Sequence, residues 1–145
     1  MSKGGKLIVM SGIKRHYTMG ENVVKALDGI DMEIKEGETI ALLGPSGSGK
    51  TTLLNCLAAL DNPTEGSYNF DGENVPQGNS EKMTTFRREN IGYIFQFFNL
   101  LNDLTVLENV MLIQELAGKR DEEKARELLD QVGLNDEIER FPSEI

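Results

Sequence analysis

The spacing of apolar and polar residues predicts mainly β-structure in the first third of the chain. Short apolar or alternating runs are separated by polar clusters that contain glycine, a pattern typical of strands joined by turns. These runs predict strands at residues 7–10, 13–17, 23–27 and 30–34. A further run, Thr-Ile-Ala-Leu-Leu at residues 39–43, is apolar without alternation, which indicates a strand buried on both faces.

Helical spacing dominates the rest of the chain, and two more strands lie between the predicted helices. The strands are predicted at residues 66–70, before an Asp71-Gly72 turn, and at residues 91–95. The helices are predicted at residues 50–60, 80–88 and 106–117, and after Asp121.

The last two helices carry the clearest end signals. Thr105 and Glu108 have the spacing of a capping box, Asp121 is suited to cap the following helix, and Gly133 is suited to end it. The apolar stripe of that helix consists of Ala125, Leu128, Leu129 and Val132. Antiparallel strands, a strand–loop–helix unit and a helical tail together predict an α/β fold.

Composition restricts the partners and the compartment. The net charge is -9 over 145 residues, which argues against nucleic acid as the main partner because such proteins present a basic face. The single cysteine, Cys56, cannot form an internal disulfide, which favours the reducing cytosol. No apolar run approaches the ~20 residues of a membrane helix, so any work at a membrane would need a partner.

Several reactive or charged side chains are expected to have only structural or solvating roles. Cys56 is expected in the core and His16 on the surface of a strand. The charged pairs expected to be solvated are Lys14-Arg15 and Arg87-Arg88.

A glycine-rich loop after the 39–43 run carries the strongest chemical signal. Residues 44–51, Gly-Pro-Ser-Gly-Ser-Gly-Lys-Thr, match the pattern G-x-x-x-x-G-K-[ST] without a mismatch. The glycines allow backbone conformations closed to other residues and let amide groups approach an anion. The loop also opens a helix, whose N-terminal amides and dipole favour the same anion. The pattern therefore predicts a site for ATP or a similar nucleotide.

The loop's side chains are expected to hold the phosphates and the metal of a Mg²⁺-nucleotide. Lys50 places a charge near the β- and γ-phosphates, and the Thr51 hydroxyl is suited to ligate Mg²⁺. The predicted nucleotide-binding residues are Gly44, Ser46, Gly47, Ser48, Gly49, Lys50, Thr51 and Thr52. An apolar strand before the loop and a striped helix after it argue against a chance glycine-rich turn.

Three segments together resemble the ATP-binding cassette (ABC) ATPases, specifically the subfamily of lipoprotein release and macrolide export. They are residues 43–54, 61–66 and 91–100, and the resemblance extends from about Leu7 to Ile145. It implies a P-loop NTPase core, incomplete here, with an antiparallel β subdomain and a helical subdomain. The phosphate loop alone would leave other P-loop NTPases open, but the Phe-Gln-Phe-Phe-Asn segment disfavours a nucleotide kinase.

The resemblance also implies a division of the chain into three parts. Residues 1–75 would form the β subdomain with the phosphate loop and its helix. Residues 80–100 would contribute a core strand and the Q-loop, and residues 101–145 would form the helical subdomain.

Two more site residues follow from the resemblance. Tyr17 lies where the family stacks an aromatic ring on adenine, although it could be an ordinary strand aromatic. Gln96 lies at the Q-loop glutamine, whose amide binds Mg²⁺ or positions the attacking water, which would make it catalytic together with Lys50. An ordinary polar strand end is the alternative for Gln96.

Residues 97–107 would be the face that meets a transmembrane permease subunit. The apolar residues of this loop are Phe97, Phe98, Leu100, Leu101 and Leu104. A coupling surface would explain them, and so would burial under the helical tail. Membership of the family would place the protein in the cytoplasm, peripheral on the inner face of the cell membrane through that partner.

The resemblance stops at the signature motif. In the family, Phe141 to Glu144 precede Leu-Ser-Gly-Gly-Gln, and here Ile145 stands at the leucine. The Walker B aspartate, the catalytic glutamate and the switch histidine come later in the family, and two subunits sandwich ATP as a homodimer. We therefore expect negligible hydrolysis by this chain alone, and either a fragment or an oligomer that exchanges strands.

These observations leave three functional hypotheses. The parent protein would be a Mg²⁺-ATPase subunit that couples ATP binding and hydrolysis to export or lipoprotein release. The alternatives are a nucleotide-binding module without catalysis, and an interaction module that acts through its apolar residues 97–104.

Overall fold

The computed structural model describes residues 5–78, 81–96 and 99–145. The chain forms two compact units, Met1–Tyr93 and Ile94–Ile145. The first contains four strands and two helices within the described ranges, and the second contains two helices and two short 3₁₀ turns. No helix in the described ranges has the length and apolar character needed to cross a bilayer.

Two long antiparallel strands dominate the first unit. Strand β1 is Lys6–Met19 and strand β2 is Asn22–Lys35, and a turn at Gly20-Glu21 joins them. Strand β3, Glu65–Phe70, pairs with the other edge of β1, and the short β4, Glu73–Asn74, pairs with β3. The sheet order is β2-β1-β3-β4.

The four strands predicted from residues 7–34 merge into these two. Gly12 and Gly29 interrupt the apolar pattern but stay within the strands, with φ of 59° and 93°. The pairing of β1 with β2 shifts register on both sides of Ile13. Glycine within a strand is typical of such irregularities, and here it marks bends rather than strand ends.

A two-residue turn joins β3 to β4 as the sequence predicts. Asp71 and Gly72 have φ of 49° and 83°, which is the double positive φ that a type I′ hairpin turn requires. This turn fixes the register in which Phe70 faces Glu73.

Helix α1, Lys50–Leu57, packs on the sheet and is shorter than the predicted 50–60. Its C-terminal carbonyls are held by side chains from elsewhere in the unit: the Tyr68 hydroxyl donates to Leu57 O at 2.8 Å. Arg87 of helix α2, Glu81–Asn90, donates to Ala59 O at 2.8 Å. Arg87 is therefore a structural donor, which corrects the expectation that it is solvated. Ser80, the predicted cap of α2, lies outside the described residues.

One apolar core fills the first unit between the sheet and its helices. The buried residues are Met10, Ile13, Leu27, Leu53, Cys56, Ala59, Tyr68, Val75 and Met83. Cys56 is only 1% exposed, and burial raises the pKa of its thiol to about 11. The expectation of a core cysteine is therefore confirmed.

Neither of the two segments predicted as buried strands, 39–43 and 91–95, forms a strand. Leu43 is 92% exposed and Ile94 is 99% exposed. A strand buried on both faces needs neighbours that pair with its amides and carbonyls, and none of the strand pairs in the described residues involves either segment.

The second unit is built on α3, Val106–Leu116, and α4, Glu122–Gln131. The capping box of Thr105 and Glu108 is present, and Asp121 caps α4 by accepting from Lys124 N at 2.9 Å. The apolar stripe of α4 is narrower than predicted. Ala125 and Leu129 are buried, whereas Leu128 and Val132 are 43% and 68% exposed.

Candidate functional site

The loop at residues 44–49 lies between the exposed 39–43 segment and the start of α1. Gly47 and Gly49 have φ of 77° and 91°, in the left-handed region that favours glycine. A Cβ on Gly49 would lie 2.5 Å from the carbonyl oxygen of Ala26. The loop therefore rests directly on the backbone of β2.

A bulge in β2 creates this contact. Arg15 pairs with Leu27 while the next residue, His16, pairs with Lys25, so Ala26 is an extra residue without a partner in the ladder. Bulges redirect the backbone and occur often beside functional sites. Here the bulge brings the Ala26 carbonyl against Gly49.

The loop and β2 enclose a cavity of about 670 Å³. Its lining residues are Val24, Lys25, Ala26, Ser46, Gly47, Ser48, Gly49, Lys50, Thr51 and Thr52. Seven of the eight predicted nucleotide-binding residues of the loop thus meet at one concave surface. The eighth, Gly44, touches it only indirectly, because its carbonyl accepts from Lys50.

Helix α1 begins at this surface, because its first three residues line the cavity together with the loop. Gly49 is the N-terminal cap of α1 and makes no side-chain cap bond, and its carbonyl accepts the first helical hydrogen bond, from Leu53 N at 2.9 Å. The first amides of a helix have no partner within it. In the described residues, the one loop amide that donates to a backbone carbonyl is Ser48 N, to Pro45 O at 3.3 Å.

Lys50 is folded back over the loop. Its Nζ donates to the carbonyl oxygens of Gly44 and Pro45 at 2.7 and 2.6 Å, and to Ser48 Oγ at 3.3 Å. These bonds hold the ammonium group at the loop rather than in solvent. A positive charge, oriented amides and the Thr51 and Thr52 side chains therefore share one concave surface, an arrangement suited to an anion.

Tyr17 lies on β1 and is engaged on two sides. Its hydroxyl donates to Asp61 Oδ2 at 2.7 Å, and the Arg15 guanidinium lies over its ring, 4.4 Å from the centroid. Arg15 also binds the same carboxylate twice, through Nε at 2.8 Å and Nη2 at 2.7 Å. The expectation that Arg15 is simply solvated is therefore wrong.

The Asp61 carboxylate is held in its charged form by these donors. Burial opposes its ionisation, but the hydrogen bonds from Tyr17 and Arg15 outweigh that effect and lower the pKa of Asp61 below its usual value. Sequence reasoning missed this cluster. The available signal was Asp61 directly after the predicted helix 50–60, together with Arg15 two residues before Tyr17 on one strand.

His16, expected on a strand surface, is half-buried and its Nε2 lies 3.0 Å from Asp28 Oδ1. Lys14 is ion-paired with Glu65 at 2.7 Å on the exposed surface.

Gln96 belongs to the second unit, where it is exposed and lies in a bend rather than at a strand end. Its role as a Q-loop glutamine stays a prediction.

The 97–107 segment is only partly described, because Phe97 and Phe98 lie outside the described residues. Leu100 and Leu101 are 43% and 52% exposed, whereas Val106 and Leu107 are buried in the core of the second unit. A cavity of about 490 Å³ beside them is lined by Asn99, Leu100, Asn102, Pro142 and Ile145.

One buried polar residue, Asn109, secures this segment and was also missed. Its amide oxygen accepts from Leu101 N at 2.8 Å. Its Nδ2 donates to the carbonyls of Leu101, Leu104 and Thr105 at 3.1, 3.0 and 2.9 Å. A polar residue at a core position of a predicted helix was the signal that could have found it.

Comparison with known proteins agrees with this geometry. A family model described as ABC transporter matches residues 27–144. The macrolide export ATP-binding/permease protein MacB 1 of Aeromonas hydrophila is 43% identical over 142 residues, which cover 96% of this chain and 22% of the relative. The lipoprotein-releasing system ATP-binding protein LolD of Geobacter metallireducens is 44% identical over 96% of this chain and 63% of its own length.

A solved structure has the same fold. The ATP-binding cassette MJ0796, in a dimeric post-hydrolysis state bound to ADP and Pi, superposes with a TM-score of 0.85 at 35% identity, over 95% of this chain and 62% of that chain. This chain thus spans less than two thirds of each of these three proteins. ABC ATPases bind ATP, typically with Mg²⁺. The likeness in sequence and fold confirms the predicted α/β class, and the chain belongs to the ABC transporter family as part of an ATP-binding cassette.

Proposed function

We propose that this chain binds the triphosphate tail of Mg²⁺-ATP in the cavity between the 44–51 loop and β2. The observation that carries the proposal is that the glycine-rich loop, Lys50 and the hydroxyl residues at the start of α1 line one concave surface. These groups are the donors that phosphate oxygens require.

The residues present fit such a ligand. The left-handed Gly49 lets the backbone approach without a side chain, and Ser46, Ser48 and Thr52 add hydroxyl groups to the lining. Thr51 would hold Mg²⁺, which supplies charge neutralisation on the phosphate oxygens when bound. Lys25 of β2 also lines the cavity, and its ammonium group is ion-paired with Asp28 at 3.2 Å.

Within the whole protein, we propose that this site serves an ATPase that drives transport. The relatives are named for macrolide export and for lipoprotein release, and MJ0796 is dimeric. By analogy, the whole protein would dimerise, act on a permease through residues 97–107 and work on the cytoplasmic side of the membrane. Gln96 would bind Mg²⁺ or position water, and Tyr17 would stack on adenine.

The test is nucleotide binding by the chain and by its Lys50→Ala variant. Saturating Mg²⁺-ATP, at about 100 times its dissociation constant, should stabilise the folded chain by ~2.7 kcal/mol. Thermal shift should detect this in the parent chain and in Lys119→Ala, which removes an exposed lysine in the other unit. The gain should be lost in Lys50→Ala. An equal shift in all three proteins would contradict the proposal.

A second candidate function is nucleotide binding without hydrolysis by this chain alone. The lining of the cavity favours it, because within the described residues it consists of amides, hydroxyls, apolar groups and lysines, which bind an anion. Phosphate release should then stay at background while Mg²⁺-ATP binds. Turnover that disappears in Lys50→Ala would rule this candidate out.

A further inference from the structure

The Asp61 carboxylate connects the two parts of the first unit that a nucleotide would touch. Asp61 follows α1, the helix that opens at the phosphate loop, and its amide donates to the Asn55 carbonyl at 3.1 Å. Its carboxylate reaches across to Arg15 and Tyr17 on β1. The side chains of Arg15 and Asp61 are only 25% and 23% exposed, so the contact is largely shielded from solvent.

The Asp61 carboxylate contacts both the Tyr17 hydroxyl and the Arg15 guanidinium that lies over the Tyr17 ring. It accepts the Tyr17 hydroxyl, which sets the direction of the ring, and it binds Arg15 through two nitrogens, which lays the guanidinium over one ring face. A two-nitrogen contact has a defined plane, whereas a single contact would leave the guanidinium free to rotate. One face of Tyr17 is thus covered by a cation in a fixed orientation.

Tyr17 is also paired with a residue that lines the proposed phosphate cavity, although Tyr17 itself is not part of the lining. Tyr17 is directly opposite Val24 in the β1–β2 register, and Val24 lines the cavity together with the loop. Directly opposed residues of an antiparallel pair project to the same face of the sheet. A nucleotide with its phosphates in the loop could therefore extend its base along β2 towards Tyr17.

We propose that Asp61 is a positioning residue for the nucleobase, which acts by holding Arg15 and Tyr17 so that the ring presents the face opposite the guanidinium to adenine. This inference rests on the proposed function, because it assumes a nucleotide whose phosphates occupy the 44–51 loop. It assigns Asp61 no contact with the ligand.

The test compares a ligand that has a base with one that lacks it. Isothermal titration with Mg²⁺-ATP and with Mg²⁺-tripolyphosphate gives an affinity ratio, which reports the base contact because the phosphate contacts cancel. In Asp61→Asn the ratio should fall about fivefold, the lower end of what a base–aromatic stack contributes. Tripolyphosphate affinity should stay close to that of the parent chain.

Glu65→Gln is the matched control. It removes the same charge from an exposed ion pair with Lys14, the neighbour of Arg15. Its affinity ratio should equal that of the parent chain. An Asp61→Asn ratio no different from the Glu65→Gln ratio would overturn the inference.

A double variant separates positioning from a general structural effect. In Tyr17→Leu the ratio should already be low, and adding Asp61→Asn should lower it no further, because Asp61 acts through Tyr17. An additional, independent loss would overturn the inference. If Asp61→Asn does not fold, Arg15→Met is tested in its place. This variant keeps the bond between Tyr17 and Asp61 but removes the guanidinium from the ring, and its affinity ratio is compared with that of Glu65→Gln in the same way.

The two proposals can fail separately. Equal affinity for both ligands in the parent chain, each abolished by Lys50→Ala, would leave the phosphate site intact and refute the role of Asp61. Absence of binding by either ligand would refute the proposed function and the inference with it.

Discussion

Gly49 combines a backbone angle and a close contact that leave no room for a side chain. Its φ is 91°, and an added Cβ would lie 2.5 Å from Ala26 O and 3.3 Å from Leu27 Cδ2. Gly47 has a similar φ of 77°, but nothing lies within 4 Å of its Cβ position. The two glycines therefore share a left-handed backbone but differ in the space available, and only Gly49 caps α1.

Replacing Gly49 with alanine should destabilise the first unit more than replacing Gly47. Both variants carry the cost of a left-handed alanine, about 1–2 kcal/mol. Only Gly49→Ala must also push the loop away from Ala26, which should weaken Mg²⁺-ATP binding. Urea unfolding and titration of both variants measure this, and equal effects of the two would contradict the expected role of the contact.

At this scale the sequence predicted which loop residues lie together at one cavity, but it did not predict the contact between Arg15 and Asp61. The pattern at 44–51 is local, so the glycine, lysine and threonine positions could be assigned from spacing alone. Arg15 and Asp61 are 46 positions apart, and their contact depends on how α1 docks on β1. No local pattern encodes that distance, which is why Arg15 was expected to be solvated.

Among the elements, α3 depends on a polar residue in the core of the second unit. Asn109 bonds to the 101–105 segment through four hydrogen bonds and is 9% exposed. Its side chain thereby adds to the backbone bond from Leu104 N to Leu101 O within this irregular segment. The start of α3 and the segment before it form one cooperative piece.

Asn109→Ala should lower the free energy of unfolding of the second unit by about 2–3 kcal/mol, because it removes the side-chain partner of the Leu101 amide and of the Leu104 carbonyl. Hydrogen exchange at Leu101 should accelerate together with this loss. Asn102→Ala, which changes an exposed asparagine of the same segment, serves as the control. A similar loss in both variants would contradict the role assigned to Asn109.

The elements themselves were predictable where their signals are local. The capping box at Thr105, the Asp121 cap and the Asp71-Gly72 turn are confirmed, because each depends on residues within a few positions. Residues 39–43 have the composition of a central strand but form none. A strand forms only when neighbouring strands pair with it, and the composition of a segment does not show whether such neighbours are present.

For the molecule as a whole, Asp61 should affect acid stability. Its pKa is lowered in the folded state, so its contribution is present above the usual value of 3.8 and is lost as pH falls through the folded value. The parent chain should therefore lose more stability than Asp61→Asn between about pH 5 and pH 3. Urea unfolding across that range measures the difference, and parallel curves would contradict it. Asp28 and Glu65, whose pKa values are also lowered, are unchanged in both proteins.

The exposed apolar segment at 39–43 predicts self-association of the isolated chain. Leu43 and Ile40 are 92% and 42% exposed in a segment that joins no strand pair of the described residues, a combination that favours pairing with another copy. Leu43→Lys should reduce the average mass in light scattering without lowering the unfolding temperature. Val132→Lys, which changes an exposed valine at the end of α4, should leave the mass unchanged.

The extra residue at Ala26 affects both the regularity of the sheet and the shape of the cavity. Removing it would eliminate one of the register shifts between β1 and β2, and would thus make that part of the hairpin ladder more regular. The same deletion would withdraw the wall against which Gly49 rests and shorten the cavity floor. A designer who made this hairpin more regular would therefore lose part of the cavity, so the irregularity belongs to the proposed ligand site.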